Sequence, residues 1–173
     1  MNPPLGELPL LTIPEVWTSK LSNGTSLYGI ENSELPLVQF YLRIDGGQLL
    51  DNPNKKGTAS LVASLMDEGT KTKTPAQLEE AIDLLGSSIS ISAGLESIGI
   101  SGNSLAKNLD ATLELVNEIL TEPRWDTEAF EIAKTRRLAS IQQTKGNPQS
   151  LAFNALNKQL YGEGPPSSVP LGG

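Results

Sequence analysis

The chain has 173 residues and a net charge of −7 at pH 7, with an isoelectric point near 4.6. It contains no histidine and no cysteine, which excludes disulfides, thiol catalysis and the imidazole or thiolate ligands that zinc prefers. No basic patch and no apolar run of about twenty residues occurs, so neither nucleic acid nor a membrane span is expected.

The first part of the chain combines a proline-rich segment with a strong turn signal. Residues 1–15 contain four prolines, and because proline fixes φ and lacks an N–H donor, they predict an extended arm or linker. We expect residues 16–173 to form a domain that is itself a fragment of a longer chain. From Val16 to Glu31 the pattern predicts a β-hairpin with its turn at Asn23-Gly24.

Two further stretches alternate between apolar and polar residues, as strands do. Leu37 to Ile44 predicts a strand in an antiparallel sheet with one covered face. The segments 87–93 and 97–102 predict a second hairpin. Gly46-Gly47 is interpreted as a structural turn and not as a phosphate nest, because no helix start follows it directly. The side chains on the covered face of the first strand would be Val38, Phe40, Leu42 and Ile44.

Helical signals alternate with these strands. The segment 57–70 reads GTASLVASLMDEGT and carries an apolar stripe between two glycines, which predicts a short buried helix. Thr74-Pro75-Ala76-Gln77 is a capping box and predicts a helix that ends at Gly86. A longer helix is predicted over residues 105–120, with its stripe at Leu105, Leu109, Leu113, Val116 and Leu120.

The last third of the chain is predicted to be helical. Asp126 caps a helix that runs towards Lys145, and Asn147-Pro148 opens another that ends at Tyr161-Gly162. The tail that follows, residues 162–173, is turn-rich and is predicted to be loose. The complete pattern predicts an α+β fold in which helices pack on an antiparallel sheet.

The segment 57–70 also resembles a specific sequence motif, whose spacing of conserved-type positions we call the frame. In the pitrilysin/insulinase family of zinc peptidases, peptidase family M16, to which mitochondrial processing peptidase belongs, a glycine-led segment carries His-x-x-Glu-His and ends in Gly-Thr. On that frame the two histidines fall on Ser60 and Ser64, and the glutamate falls on Ala63. Gly57 and the pair Gly69-Thr70 stand where the frame has them.

The resemblance covers residues 21–162 and implies a domain without catalytic chemistry. It places the third zinc ligand of the family, a glutamate, at Ser140. A hydroxyl is a poor zinc ligand near neutral pH, and alanine cannot act as a general base. The resemblance therefore implies no cofactor in this chain and zinc only in a partner half, carried by the same polypeptide or by a separate subunit. The implied fold is the α+β domain of M16 metallopeptidases, which agrees with the predicted elements.

Two functions follow from the resemblance. In the first, this domain helps to enclose and orient a peptide substrate while the zinc-bearing half hydrolyses it. The matching strand of catalytic relatives is a sheet edge that pairs with extended substrate, so the candidate peptide contacts are Ile89, Ser90, Ile91 and Ser92. In the second, the domain is a structural or assembly module that handles no peptide. An unrelated enzyme is disfavoured, because without histidine or cysteine no pair of nucleophile and base can be drawn.

Several polar positions have a structural and a functional interpretation, and the structural one is preferred for each. Ser60 and Ser64 are either contacts in a substrate chamber or small residues that let a helix approach the sheet. Asp67-Glu68 is either an acid/base pair or a solvated helix end. Arg136-Arg137 either holds a peptide carboxylate or lies on a solvated helix face. The resemblance alone favours the periplasm or cell envelope of a bacterium as the location.

Overall fold

The computed structural model describes residues 13–161 except residues 33 and 53, and of Tyr161 it describes only the backbone. The predicted tail and most of the proline-rich arm lie outside these residues. The strands are β1 (Val16–Lys20), β2 (Ser26–Ile30), β3 (Leu37–Asp45), β4 (Ser88–Ala93) and β5 (Ser97–Leu105). The α-helices are α1 (Thr58–Met66), α2 (Pro75–Leu84), α3 (Leu109–Thr121), α4 (Thr127–Lys145) and α5 (Pro148–Tyr161).

The chain divides into two units, residues 1–36 and residues 37–173. In the first unit β1 and β2 pair antiparallel, as the sequence predicts. The turn between them is closed by the N–H of Leu21, which donates to the carbonyl of Thr25 over 2.9 Å. The side-chain oxygen of Asn23 accepts from the N–H of Thr25 over 3.0 Å. The hairpin is confirmed, while the predicted domain boundary after residue 15 stays a prediction.

The second unit contains a three-stranded antiparallel sheet in the order β3–β5–β4. β3 pairs with one side of β5 along its whole length, and β4 pairs with the other side, so the predicted second hairpin is confirmed. The alternation predicted for β3 is also confirmed in most positions. Ile44 departs from it, since 38% of its surface is exposed. The partly buried residues of β3 are Val38, Phe40 and Leu42, and the exposed ones between them are Gln39, Tyr41 and Arg43.

Helices α1, α2 and α3 form the core together with the sheet. Their central buried side chains belong to Met66, Leu78, Leu115 and Ile119. Ile89 and Ile91 of β4 pack against this cluster, because alternate residues of a strand face the same side. The predicted α+β fold, with helices packed on an antiparallel sheet, is confirmed. Among residues 13–161, no helix combines the length and the apolar character that crossing a bilayer requires.

The prediction for the third helix was wrong at its start and in part of its buried face, although Val116 is buried and Leu120 packs against the core as predicted. Leu105 ends β5 opposite Leu37, and α3 begins only at Leu109 after a short 3₁₀ turn. The helix turns Thr112, Leu115, Val116 and Ile119 towards the core, whereas Leu113 of the predicted stripe is 42% exposed. Apolar residues lie on more than one side of this helix, so periodicity alone does not select the side that packs on the sheet.

Local capping signals set the ends of the other helices. Thr74 and Gln77 form the predicted capping box at α2, and Asp126 accepts from two backbone N–H groups at the start of α4. Asn147 caps α5 by accepting from the N–H groups of Gln149 and Ser150. Gly146 does end α4, but with a φ of −84° it is not the left-handed cap that a glycine there suggests.

Candidate functional site

At the N-terminus of helix α1, the N-cap residue is a glycine in the left-handed conformation. A carboxylate from the preceding loop accepts hydrogen bonds from the first N–H groups of the helix. Gly57 has a φ of 88°, a conformation that residues with a side chain rarely adopt. Asp51 accepts hydrogen bonds from the N–H of Gly57 over 2.8 Å and from the N–H of Ala59 over 2.9 Å. The carboxylate oxygens of Asp51 thus satisfy N–H donors at the helix N-terminus, and the negative charge is favoured there by the helix dipole. The sequence gives no sign of this role, because the loop brings Asp51 back across six positions.

The three motif positions on α1 lie in different environments. Ala63 is only 4% exposed. Ser60 is partly buried, and its hydroxyl oxygen accepts from the side-chain amide of Gln48 over 3.3 Å. Ser64 is exposed, and its hydroxyl donates to the carbonyl of Ser60 over 3.0 Å. Both hydroxyls are engaged within the chain, which favours the structural interpretation of the two serines.

The fourth motif position lies on a different helix. Ser140 is an exposed residue of α4, and its carbonyl accepts from the hydroxyl of Thr144 over 3.0 Å. α4 packs against α1, so the fold brings the helix of the third ligand position to the helix of the first two. Over residues 13–161, apart from 33 and 53, no three His, Cys, Asp or Glu residues are grouped so that they could hold a metal ion. The four positions supply hydroxyls and a methyl group, which cannot activate a water molecule as a zinc site does.

The segment after α1 leaves through Gly69-Thr70. A Cβ atom at position 69 would lie 2.7 Å from the carbonyl oxygen of Lys73. The φ of Gly69 is 97°, a conformation that also favours glycine. Thr70 is fully buried, and its hydroxyl donates to Oε1 of Glu118 over 2.5 Å. It also forms an isolated antiparallel bridge with Pro123. The Gly-Thr pair therefore joins the end of the frame to α3, a role that needs no zinc.

The carboxylate of Glu118 accepts hydrogen bonds from three side chains in the loop after α1. Besides Thr70, the hydroxyl of Thr72 donates to Oε1, and the ammonium of Lys73 lies 2.5 Å from Oε2. Lys73 and the two hydroxyls lower the pKa of Glu118 to about 2, because all three favour the ionised carboxylate. Sequence patterns miss this cluster, since Glu118 lies at least 45 positions from each partner.

One residue of each pair interpreted as solvated is exposed. Asp67, the residue that ends α1, is exposed, and Glu68 is partly buried. Desolvation nevertheless raises the pKa of Asp67. Of the two arginines on α4, Arg136 is exposed and Arg137 is partly buried. The solvated interpretation therefore fits Asp67 and Arg136 best.

Strand β4 is an edge of the sheet within the described residues. Its one neighbouring strand there is β5, and α1 packs beside it. The predicted peptide contacts divide into two kinds. Ser90 and Ser92 are exposed, whereas Ile89 and Ile91 are partly buried and pack against the core. The serines therefore offer side chains to an approaching strand, while the isoleucines offer only backbone groups.

Comparison with known proteins assigns this arrangement to a family. Residues 30–169 match the family model described as Insulinase (Peptidase family M16). The chain belongs to peptidase family M16. The match includes the α1 frame, β4 and Ser140, so the resemblance read from the sequence is confirmed. This M16 chain has Gly57 and Gly69-Thr70 at the glycine and threonine positions of the frame. The positions that the resemblance assigns to its ligands and base are Ser60, Ala63, Ser64 and Ser140.

Individual relatives are similar over most of the chain. It is 28% identical over 142 residues to the "Non-peptidase homolog YmxG" of Helicobacter pylori, covering 82% of this chain and 33% of the relative. It is 24% identical over 152 residues to the mitochondrial-processing peptidase subunit beta of Rattus norvegicus, covering 88% and 31%. The crystal structure of a peptidase M16 inactive domain from Pseudomonas fluorescens superposes with a TM-score of 0.81 at 26% identity, covering 89% of this chain and 38% of that one. The chain thus spans about a third of the length of these relatives.

Proposed function

We propose that this chain is the non-catalytic half of an M16-type zinc metallopeptidase, helping to enclose and orient peptide substrate for a zinc-bearing partner half. The observation that carries the proposal is the state of the α1 frame. Gly57 and Gly69, at the glycine positions of the frame, have φ values of 88° and 97°, while Ser60 and Ala63 stand where the resemblance places a zinc ligand and the general base. The names of two relatives, a non-peptidase homolog and an M16 inactive domain, support the same conclusion.

The peptide-handling part of the proposal is supported by β4. An extended peptide can add to a sheet edge through main-chain hydrogen bonds, which depend little on side-chain identity. Ser90 and Ser92 are small, uncharged and exposed beside that edge. Edges that must stay unpaired often carry lysine, proline or a bulge instead. The β4 edge is thus chemically suited to receive a strand.

The first experiment compares this chain with the catalytic partner that the proposal requires. The partner would be an M16 protein with an intact His-x-x-Glu-His motif, encoded in the same polypeptide or in the adjacent operon. Zinc content and cleavage of a fluorogenic peptide mixture are measured for each protein alone and for the two mixed. We expect no stoichiometric zinc in this chain and faster cleavage in the mixture than by the partner alone.

A matched pair of variants then tests the role of β4. Ser90→Lys places a long cationic side chain on the edge strand, whereas Ser101→Lys places the same side chain on the same exposed face of the central strand β5. We expect Ser90→Lys to reduce the stimulation and Ser101→Lys to preserve it. Absence of any stimulation would favour the structural or assembly module. Zinc and peptidase activity in the isolated chain would contradict both functions.

A further inference from the structure

The turn of the β1–β2 hairpin folds an asparagine side chain towards the glycine that follows it. Oδ1 of Asn23 accepts from the N–H of Thr25 over 3.0 Å, so the side chain curls over the peptide group between Asn23 and Gly24. This bond turns Cγ, the carboxamide carbon, towards the backbone nitrogen of Gly24. Both residues are exposed, and a Cβ atom built at Gly24 meets no atom within 4 Å. The turn thus brings together an electrophilic carbon and an unhindered amide nitrogen.

Three other exposed asparagines share this side-chain geometry and differ in the residue that follows. Oδ1 of each accepts a backbone N–H from two positions ahead, over 2.9 or 3.0 Å, and they are Asn32, Asn52 and Asn147. Proline follows Asn52 and Asn147, and its nitrogen carries no hydrogen that could be removed. Serine follows Asn32, and its Cβ hinders the nitrogen. Asn23 is the one asparagine of the sequence that precedes glycine, which has no Cβ.

We propose that Asn23 is a site of spontaneous deamidation, which converts it to aspartate or isoaspartate. The nitrogen of Gly24 loses its proton to hydroxide and attacks Cγ of Asn23. A C–N bond forms there, the bond from Cγ to the side-chain nitrogen breaks, and that nitrogen leaves as ammonia. Water then opens the resulting succinimide ring at either of its two carbonyl carbons. The reaction consumes water, releases ammonia and requires no oxidant or reductant, and it is independent of the peptide-handling role.

One hydrogen bond of the turn opposes this reaction. The N–H of Gly24 donates to the carbonyl of Leu21 over 2.9 Å, so the turn must open before the proton is lost. The two strands of the hairpin are exposed except for the partly buried Gly29, and a two-stranded hairpin is only marginally stable in water. We therefore expect the turn to open and the reaction to proceed, but more slowly than in an unfolded peptide of the same sequence.

The two products differ in their effect on the hairpin. Opening of the ring at Cγ gives aspartate, whose carboxylate can still accept from the N–H of Thr25. Opening at the backbone carbonyl carbon gives isoaspartate, in which the main chain runs through Cβ and Cγ of residue 23. The chain of the turn is then longer by one methylene group, about 1.5 Å. Because the length of a turn fixes the register of its strands, isoaspartate disrupts the pairing of β1 with β2.

Peptide mapping by mass spectrometry tests the site on the purified chain, aged in warm, mildly alkaline buffer. Electron-transfer fragmentation distinguishes isoaspartate from aspartate. We expect Asn23 to be converted at least about tenfold faster than Asn32, because glycine has no Cβ, and no conversion at Asn52 or Asn147. Equal rates at Asn23 and Asn32 would overturn the proposal. So would an unchanged Asn23 under conditions that convert a peptide of residues 20–27.

Asn23→Ser is the matched control for the effect on the hairpin. Serine offers a hydroxyl oxygen to the N–H of Thr25 but has no carboxamide that can react. Hydrogen exchange of residues 16–30 is compared between fresh and aged protein for both chains. We expect faster exchange in the aged wild type, in the fraction that carries isoaspartate, and no change in aged Asn23→Ser. The same change in both chains would contradict the assigned effect of isoaspartate, since ageing would then act elsewhere.

Discussion

The hydroxyl of Thr70 donates a hydrogen bond of 2.5 Å to Oε1 of Glu118. Thr70 follows the helix that carries the motif positions, and Glu118 lies near the end of α3. The bond therefore joins the end of the segment that resembles the M16 motif to the core helix α3. It gives the Gly-Thr pair of that segment a structural role that requires no metal.

Replacing Glu118 with glutamine is expected to destabilise the domain. The amide keeps the shape of the side chain but removes the charge, so the ammonium of Lys73 loses its ionic partner and both threonine bonds weaken. We expect a loss of about 2 kcal/mol in the free energy of unfolding, the usual scale for breaking a partly buried charged network. Urea unfolding followed by circular dichroism measures it.

The control for this variant is Glu114→Gln. Glu114 lies one turn earlier on the same helix and is exposed, so its replacement should change the free energy of unfolding by no more than about 0.5 kcal/mol. Equal effects of the two substitutions would show that the Glu118 cluster contributes no specific stability.

The stability of the domain should depend on pH through Glu118. Its pKa is about 2 in the folded chain against an ordinary 4.5, so the stabilisation is present above the ordinary value and is lost as the pH falls towards 2. With the side chain 20% exposed, we expect a contribution of about 2–3 kcal/mol. The raised pKa of Asp67 acts in the opposite direction.

The measurement for this prediction is the difference in unfolding free energy between wild type and Glu118→Gln as the pH is lowered. Because Asp67 titrates in both proteins, the difference isolates Glu118. It should shrink steadily below about pH 4.5, where protonation of the unfolded carboxylate begins. A difference that stays constant down to the acid transition would contradict the assigned cause of the low pKa.

Asp51→Asn should weaken the start of α1. The carboxylate accepts from two N–H groups at the helix N-terminus, and the amide retains one acceptor and no charge. We expect a loss of about 1 kcal/mol, typical of a lost cap together with its favourable interaction with the helix dipole. Asp83→Asn, at an exposed position on α2, is the control and should leave the unfolding free energy nearly unchanged. Similar losses in both would remove the special role of Asp51.

Restoring the glutamate of the motif should be costly in this chain. Ala63 is 4% exposed, so Ala63→Glu forces a carboxylate into a closed site, and we expect a loss of about 3 kcal/mol or more. Ser64→Glu, one position later and exposed, introduces the same side chain and should cost less than about 1 kcal/mol. Thermal unfolding compares the two. If Ala63→Glu were tolerated as well as Ser64→Glu, the site around α1 would still have room for the catalytic base.

Local signals in the sequence were sufficient for most of the secondary structure. Asn23-Gly24, the capping box at Thr74 and the cap at Asp126 act within a few residues, so their effect can be read without knowing the rest of the fold. The ordered frame from Gly57 to Thr70 was likewise sufficient to recognise the family. The proposed peptide contacts on β4 and the location in the cell stay predictions.

The amino-acid sequence by itself determined most of the elements, the family and the absence of histidine and cysteine, because each depends on residue identity or on short-range spacing. Only the tertiary structure decided which side of α3 is buried, that Glu118 binds the loop after α1, and that α5 turns its apolar residues outwards. These features depend on contacts between residues far apart in the chain. Several packings satisfy the same local periodicity, and the one adopted is set by the surfaces that meet.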